Sequence, residues 1–221
     1  MILIVDFGSQ TAHLIGRRLR QIGVQTEYTN PEDALATAKK LKPNGIILSG
    51  GPSSVYDSGA PTVEKEIFEL GIPVLGICYG WQVMAYLLGG KVKNTSKEYG
   101  PEKLELRSKN QESRILKKVP KESTVIVSHG DTVTTLPKGF ENLAETQTVT
   151  YSAVENTKDQ LGILLVKTDA VVFNTEQPVP VSFFDSDMNS RRGFATVFDR
   201  IADQVLKELY KLYGIPIYDW Q

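Results

Sequence analysis

Between Ile2 and Gly90, strand-like and helix-like segments alternate four times, and this alternation restricts the fold more than any other feature of the chain. Residues 2–5, 45–48 and 74–77 are apolar runs too short for helices, and each ends against glycine or polar residues. They read as strands buried on both faces, as in a parallel sheet. Residues 24–28 read as a further strand. From 11 to 22, Leu14, Ile15, Arg18, Leu19 and Ile22 fall at helical spacing, with Gly23 as the stop. Asn30-Pro31 predicts a capped start for a helix over 31–41. Helices are also expected over 62–70 and over 79–88, the latter closed by Gly89-Gly90. Right-handed crossovers then place helices on both faces of a mostly parallel sheet.

The second half reads differently. Residues 103–107, 124–128, 143–146 and 151–155 are strand candidates with polar alternation. Residues 161–166 and 171–173 are apolar candidates, and 179–184 is weakened by Pro178 and Pro180. Phe194, Val197, Phe198, Ile201, Val205, Leu209 and Leu212 mark an amphipathic helix over 192–213, ended by Gly214 and Pro216. With no repeat or linker in view, residues 1–221 read as one α/β domain: a mostly parallel central sheet with flanking helices, plus a small antiparallel extension.

Composition excludes several classes. Lys plus Arg is 25 and Asp plus Glu is 26, a net charge of -1, so nothing in the charge balance calls for nucleic acid. One cysteine excludes an internal disulfide framework and fits a reducing compartment. Two histidines beside it leave little material for zinc, and no metal is expected. Asp185, Asp187 and Asn189 alternate like a calcium loop but lack its glycine and terminal glutamate, so they read as a turn. The start, Met1-Ile2-Leu3-Ile4-Val5-Asp6, has no basic segment and too short an apolar run for a signal peptide. No stretch approaches the ~20 apolar residues of a membrane helix. A cytoplasmic protein without membrane contact is expected.

Two sites carry chemistry. Gly76-Ile77-Cys78-Tyr79-Gly80 lies where a strand meets a helix, with the spacing of a nucleophile elbow and cysteine at its centre. Small residues two positions either side allow the tight turn. The helix N-terminus favours the thiolate, and the Tyr79 N–H is placed to hold an oxyanion. A buried structural cysteine is the alternative. Ser49-Gly50-Gly51-Pro52 follows another strand, at the sheet edge where ligands bind. The Gly51 N–H is a candidate second oxyanion donor. The alternative is a tight loop that needs glycine for positive φ. No Walker lysine follows, so this is not a phosphate loop.

Together with Val5-Asp6-Phe7-Gly8-Ser9-Gln10, Ser53-Ser54-Val55-Tyr56, Trp81-Gln82, Glu98-Tyr99-Gly100 and Ser128-His129-Gly130-Asp131, these motifs resemble the class I glutamine amidotransferases, and within them the GMP synthase type. The resemblance is dense from residue 1 to about 135 and architectural over 136–221. It implies a flavodoxin-like sheet and a reaction. Cys78 would attack the side-chain amide of glutamine, with Gly51 and Tyr79 holding the oxyanion. Gly50, Pro52, Gln82, Tyr99, His129 and Asp131 would line or support the glutamine pocket. The ammonia would pass to an ATP pyrophosphatase or synthetase partner, in purine (GMP) biosynthesis. ATP and Mg would belong to that partner, so no cofactor is expected in this chain.

The family completes its catalytic triad on a strand ending Gly-Val-Gln-Phe-His-Pro-Glu, and this sequence has no such motif. One registration puts Val166 at the histidine and Thr168 at the glutamate. Another, with an insertion, puts Asn174 at the histidine and keeps Glu176. Neither supplies a general base, worth typically 10²–10⁴-fold in rate. His129 is the one candidate substitute, although it reads better as a hydrogen-bonded structural residue. His13 reads as a surface or rim residue. The expectation is therefore a slow or partner-activated glutaminase. The alternatives are a non-catalytic homologue that binds glutamine or a synthetase, and a cysteine hydrolase with another substrate.

Overall fold

A computed structural model describes residues 1–107, 116 and 119–156, with backbone alone at 10, 11, 96–99 and 126–129. Strand β1 (Ile2–Val5) lies at the centre of a parallel sheet, paired on one side with β2 (Thr26–Thr29) and on the other with β3 (Gly45–Leu48). Strand β4 (Val74–Gly76) adds to β3, giving the order β2-β1-β3-β4. The register aligns Val5 with Leu48 and Leu48 with Gly76. The chain segments leaving β1, β3 and β4 therefore emerge side by side at one edge, and all three motifs of the candidate site begin there.

Period-2 alternation divides the sheet's side chains between two apolar clusters. Leu3, Val5, Ile46, Leu48 and Val74 face α2 (Ala34–Leu41) and α3 (Tyr79–Leu87). Ile2, Ile4, Ile47 and Leu75 face α1 (Gln10–Gln21), which contributes Ala12, Ile15 and Leu19. Both faces of β1 and β3 are thus covered, which is why their sequences are unbroken apolar runs. Each fully buried leucine or isoleucine contributes roughly 1.5–3 kcal/mol.

Three expectations change in detail. The helix expected over 62–70 is a single 3-10 turn, Lys65–Glu69, that presses Ile67 and Phe68 onto the core. Gly71 at φ 68 and Pro73 follow at once and leave no room for a second turn. Strand β2 starts at Thr26 because the Val24 N–H is spent on the Leu19 carbonyl, closing the end of α1 around Gly23 at φ 81. Asn30 occupies the expected cap position, but its side chain makes no capping hydrogen bond; Pro31–Asp33 form a 3-10 turn before α2.

The antiparallel extension is a second four-stranded sheet, ordered β6-β5-β7-β8. Its strands are β5 (Lys91–Leu106), β6 (Glu122–Thr135), β7 (Phe140–Glu145) and β8 (Ala153–Asn156). Segments 103–107 and 124–128 are fragments of longer strands. The N-terminal part of β5, Lys-Val-Lys-Asn-Thr-Ser-Lys-Glu, has little strand propensity and is held by its ladder to β6. That ladder breaks between Asn94 and Glu98: Thr95, Ser96 and Lys97 lie opposite Gly130, a bulge beside the candidate site. Trp81 joins the two sheets, with its ring 5.5 Å from that of Phe140. The strand candidates 161–166, 171–173 and 179–184, the polar turn at 185–189 and the helix at 192–213 lie outside the described residues. No helix among the described residues is long and apolar enough to cross a membrane.

Candidate active site

Cys78 sits between β4 and α3, at the N-cap of the helix, with φ 50 and ψ -113. Only Lys42 shares a positive φ among the described non-glycine residues. A side chain held there costs of order 1–3 kcal/mol of strain, which the surrounding packing must maintain. That packing explains both flanking glycines by close approach. A methyl group at Gly80 would lie 2.4 Å from the Leu48 carbonyl oxygen, and one at Gly76 would lie 2.9 Å from the Trp81 Cα. The turn is fastened by Ile77 N–H to the Leu48 carbonyl at 2.9 Å and by Gly80 N–H to the Ser49 carbonyl at 3.0 Å. The N–H groups of Trp81 and Gln82 both reach the Cys78 carbonyl at 3.1 Å. Cys78 is only half-buried, unlike a cysteine packed into the core.

The Ser49-Gly50-Gly51-Pro52 loop lies against this turn. The buried Ser49 hydroxyl accepts from Phe7 N–H at 3.1 Å and donates to the Gly50 carbonyl at 2.9 Å. A methyl group at Gly50 would be 3.5 Å from the Cys78 Cβ and from the Ser9 Oγ; one at Gly51 would be 2.8 Å from the Phe7 carbonyl oxygen. Neither glycine has a positive φ, so close approach of backbone, not left-handed geometry, requires them here. Among the described residues, neither the Gly51 nor the Tyr79 N–H donates to a protein acceptor. Pro52 is exposed at the outer end of the loop.

Behind the elbow, Gln82 is buried and its Nε2 donates to the Asp131 carbonyl at 3.2 Å. The buried Asp131 carboxylate accepts from the Tyr56 hydroxyl at 2.6 Å and from Asn94 Nδ2 at 2.9 Å, both on Oδ1. Loss of hydration, together with the bond to Asp131, pushes the Tyr56 phenol above its ordinary pKa. Tyr56 and Asn94 were not among the site residues the sequence singled out. Tyr56 closes the Ser49-to-Tyr56 motif, and that was the available signal. Asn94 had none, because its role follows from the strand pairing. Tyr79 turns edge-on to Phe7 and donates its hydroxyl to the Pro61 carbonyl at 2.7 Å; burial, then the Asp57 charge, pushes its phenol to about 12.

Tyr99 and His129 belong to the β5–β6 ladder, where Tyr99 pairs with Ser128 and His129 with Glu98. His13 is exposed on α1, its ring 5.3 Å from that of Tyr28. Val166, Thr168, Asn174 and Glu176 lie outside the described residues. Among the described residues, no group of three or more His, Cys, Asp or Glu side chains is placed to hold a metal ion.

The family model "Glutamine amidotransferase class-I" matches residues 3–163. The chain belongs to the class I glutamine amidotransferases. The match ends before Val166. This amidotransferase is 44% identical over 181 residues to a glutamine-hydrolysing GMP synthase of Brachyspira hyodysenteriae, an alignment covering 81% of this chain and 34% of that protein. It is 48% identical over 177 residues to the GMP synthase of Ligilactobacillus salivarius, covering 79% of this chain and 33% of that one. It spans about a third of the length of these curated relatives. A solved structure of a GMP synthase subunit from Thermoplasma acidophilum superposes with a TM-score of 0.60 at 28% identity, over 75% of this chain and 81% of that one. A glutamine amidotransferase from Methylobacillus flagellatus shares the fold, with a TM-score of 0.65 at 17% identity over 100% and 96% of the two chains.

Proposed function

We propose that this amidotransferase is the glutamine-hydrolysing half of a GMP synthase, with Cys78 as its nucleophile. The observation that carries the reading is the backbone of Cys78: a non-glycine residue at φ 50 heading a helix, with Gly50 close against its Cβ. Strain of this kind persists where it serves a site. The Cys78 sulfur attacks the side-chain carbonyl carbon of glutamine, and the oxyanion is received by the Gly51 and Tyr79 N–H groups. The thiol proton leaves with the amide nitrogen as ammonia. Water then cleaves the thioester, giving glutamate and returning a proton to the sulfur. Gln82 and Asp131 support the glutamine pocket, with Gly50, Pro52, Tyr99 and His129 around it.

The ammonia is consumed by an ATP-dependent synthetase, either a further domain or a separate chain, that aminates an adenylylated xanthosine monophosphate. ATP and Mg are that partner's. The similarity to glutamine-hydrolysing GMP synthases over about a third of their length supports this division of labour. Residues 1–221 act as one domain in a cytoplasmic setting.

The second reading is a non-catalytic homologue that binds glutamine or the synthetase as a regulator. It is favoured by one sequence fact: the His-Pro-Glu motif is missing, and Val166 and Thr168, or Asn174 and Glu176, stand in its place. Ammonia release from glutamine, measured with and without an XMP-aminating synthetase, separates the two. The enzyme reading expects slow release that rises when the synthetase is added. Release no faster than that of Cys78→Ala under both conditions supports the regulator.

A further inference from the structure

Residues 50–62 link β3 to the 3-10 turn before β4 and carry the candidate oxyanion donor Gly51. This loop is internally folded: Ser54 N–H reaches Asp57 Oδ2, Asp57 N–H reaches the Ser54 carbonyl, and Ala60 N–H reaches the Asp57 carbonyl. Its start is fixed through Ser49 and its end by the Tyr79 hydroxyl on the Pro61 carbonyl. Between these points, a single side-chain hydrogen bond among the described residues joins the loop to the antiparallel sheet: Tyr56 hydroxyl to Asp131 Oδ1 at 2.6 Å.

The bond has the form of a strap. Tyr56 is 46% exposed, so its ring adds little to the core, while its hydroxyl reaches a carboxylate that is only 6% exposed. A hydrogen bond this short to an anionic acceptor is of the stronger, charge-assisted kind. Asp131 is itself held from two other sides. Asn94 binds the same carboxylate oxygen from the bulged strand β5, and Gln82, one turn into α3 from Cys78, donates to the Asp131 carbonyl. The strap therefore ends on a group already tied to the nucleophile's own helix.

We infer that Tyr56 is a positioning residue, whose hydroxyl, bonded to Asp131, holds the Gly50-Gly51 loop in register with Cys78. The inference rests on the glutaminase reading and deepens it. Tyr56 acts through the loop and does not touch the reacting atoms. Because Asn94 continues to satisfy Asp131, Tyr56→Phe leaves no buried carboxylate without a partner, and the variant folds.

The test follows inactivation of the full chain by a chloroketone analogue of glutamine, read as the rate constant at saturation and the half-saturating concentration. Iodoacetamide, which needs no oxyanion hole, reports bare thiol reactivity. Tyr56→Phe is expected to lower the saturating rate constant by about tenfold, the loss of one charge-assisted hydrogen bond. The half-saturating concentration stays within twofold and the iodoacetamide rate is unchanged. Tyr86→Phe, an exposed tyrosine elsewhere on α3, serves as the control and changes none of these. An unchanged chloroketone rate constant overturns the strap. So does an equal slowing with both reagents, which would mark a merely structural role. If the parent chain reacts no faster with the chloroketone than with iodoacetamide, the glutaminase reading itself fails and the strap with it.

Discussion

Gly50 faces Cys78 across the site so closely that a methyl group on Gly50 would rest 3.5 Å from the Cys78 Cβ. That is ordinary van der Waals contact, and Gly50 has no positive φ, so alanine is compatible with the backbone. The same methyl would occupy the approach to the sulfur. Gly50→Ala is expected to keep its thermal midpoint within a few degrees while alkylation of Cys78 by a glutamine-like chloroketone falls at least about tenfold, one to two kcal/mol of barrier. Thermal melts and labelling rates on the same preparations check it. A large loss of stability would mean the loop tolerates less than this geometry allows.

The strain at Cys78 is measurable by itself. Alanine at this position must keep φ 50, whereas glycine adopts it freely. Cys78→Gly is therefore expected to be more stable than Cys78→Ala by about 1 kcal/mol, reversing the usual order of the two residues. Urea unfolding of both variants gives the difference directly. An alanine variant at least as stable as the glycine one would show that the turn relaxes once the sulfur is gone.

Tyr79 gives the stability a dependence on alkaline pH. Burial and the Asp57 charge raise its phenol from 10.0 to about 12 in the folded chain. Above pH 10 the unfolded chain gives up this proton while the folded chain retains it, so stability falls as pH rises from 10 towards 12. Below pH 10 the contribution is fully present. Two pK units correspond to roughly 3 kcal/mol. Tyr79→Phe, which also loses the bond to the Pro61 carbonyl, is expected to be less stable at pH 8 yet to fall less steeply between pH 10 and 12. Parallel pH slopes for the two proteins would contradict this.

Much of this architecture is legible in the sequence because β1, β3 and β4 are buried on both faces and must be apolar, and because close approach at Gly76 and Gly80 admits glycine alone. The antiparallel sheet is harder to read. Only fragments of β5 and β6 alternate, and residues such as Lys93, Asn94 and Glu98 enter the ladder because a partner strand is present. The Tyr56–Asp131–Asn94 contact is hidden for the same reason: it joins positions far apart in sequence that only the folded sheets bring together. The two registrations of the missing base fall on residues whose identity is clear and whose placement the sequence leaves open.

Those registrations make opposing predictions. If Val166 stands at the histidine position, Val166→His with Thr168→Glu raises glutamine hydrolysis, up to the 10²–10⁴-fold typical of a general base. If Asn174 stands there, Asn174→His alone raises it, with Glu176 already present to orient the ring. Ammonia release from the two variants decides between them. A parent chain that turns over at an ordinary rate, with neither variant faster, points to a recruited base, and His129→Ala would then abolish turnover.

The central claim is that Cys78 is a nucleophile built for glutamine. Its most direct test is mass spectrometry of the intact chain after brief exposure to the chloroketone analogue near neutral pH, with and without excess glutamine. A glutamine-directed nucleophile gives one adduct, on the peptide carrying Cys78, formed with saturation and suppressed by glutamine. A Cys78 that remains unmodified in the folded chain, or one whose labelling is indifferent to glutamine, would contradict the claim.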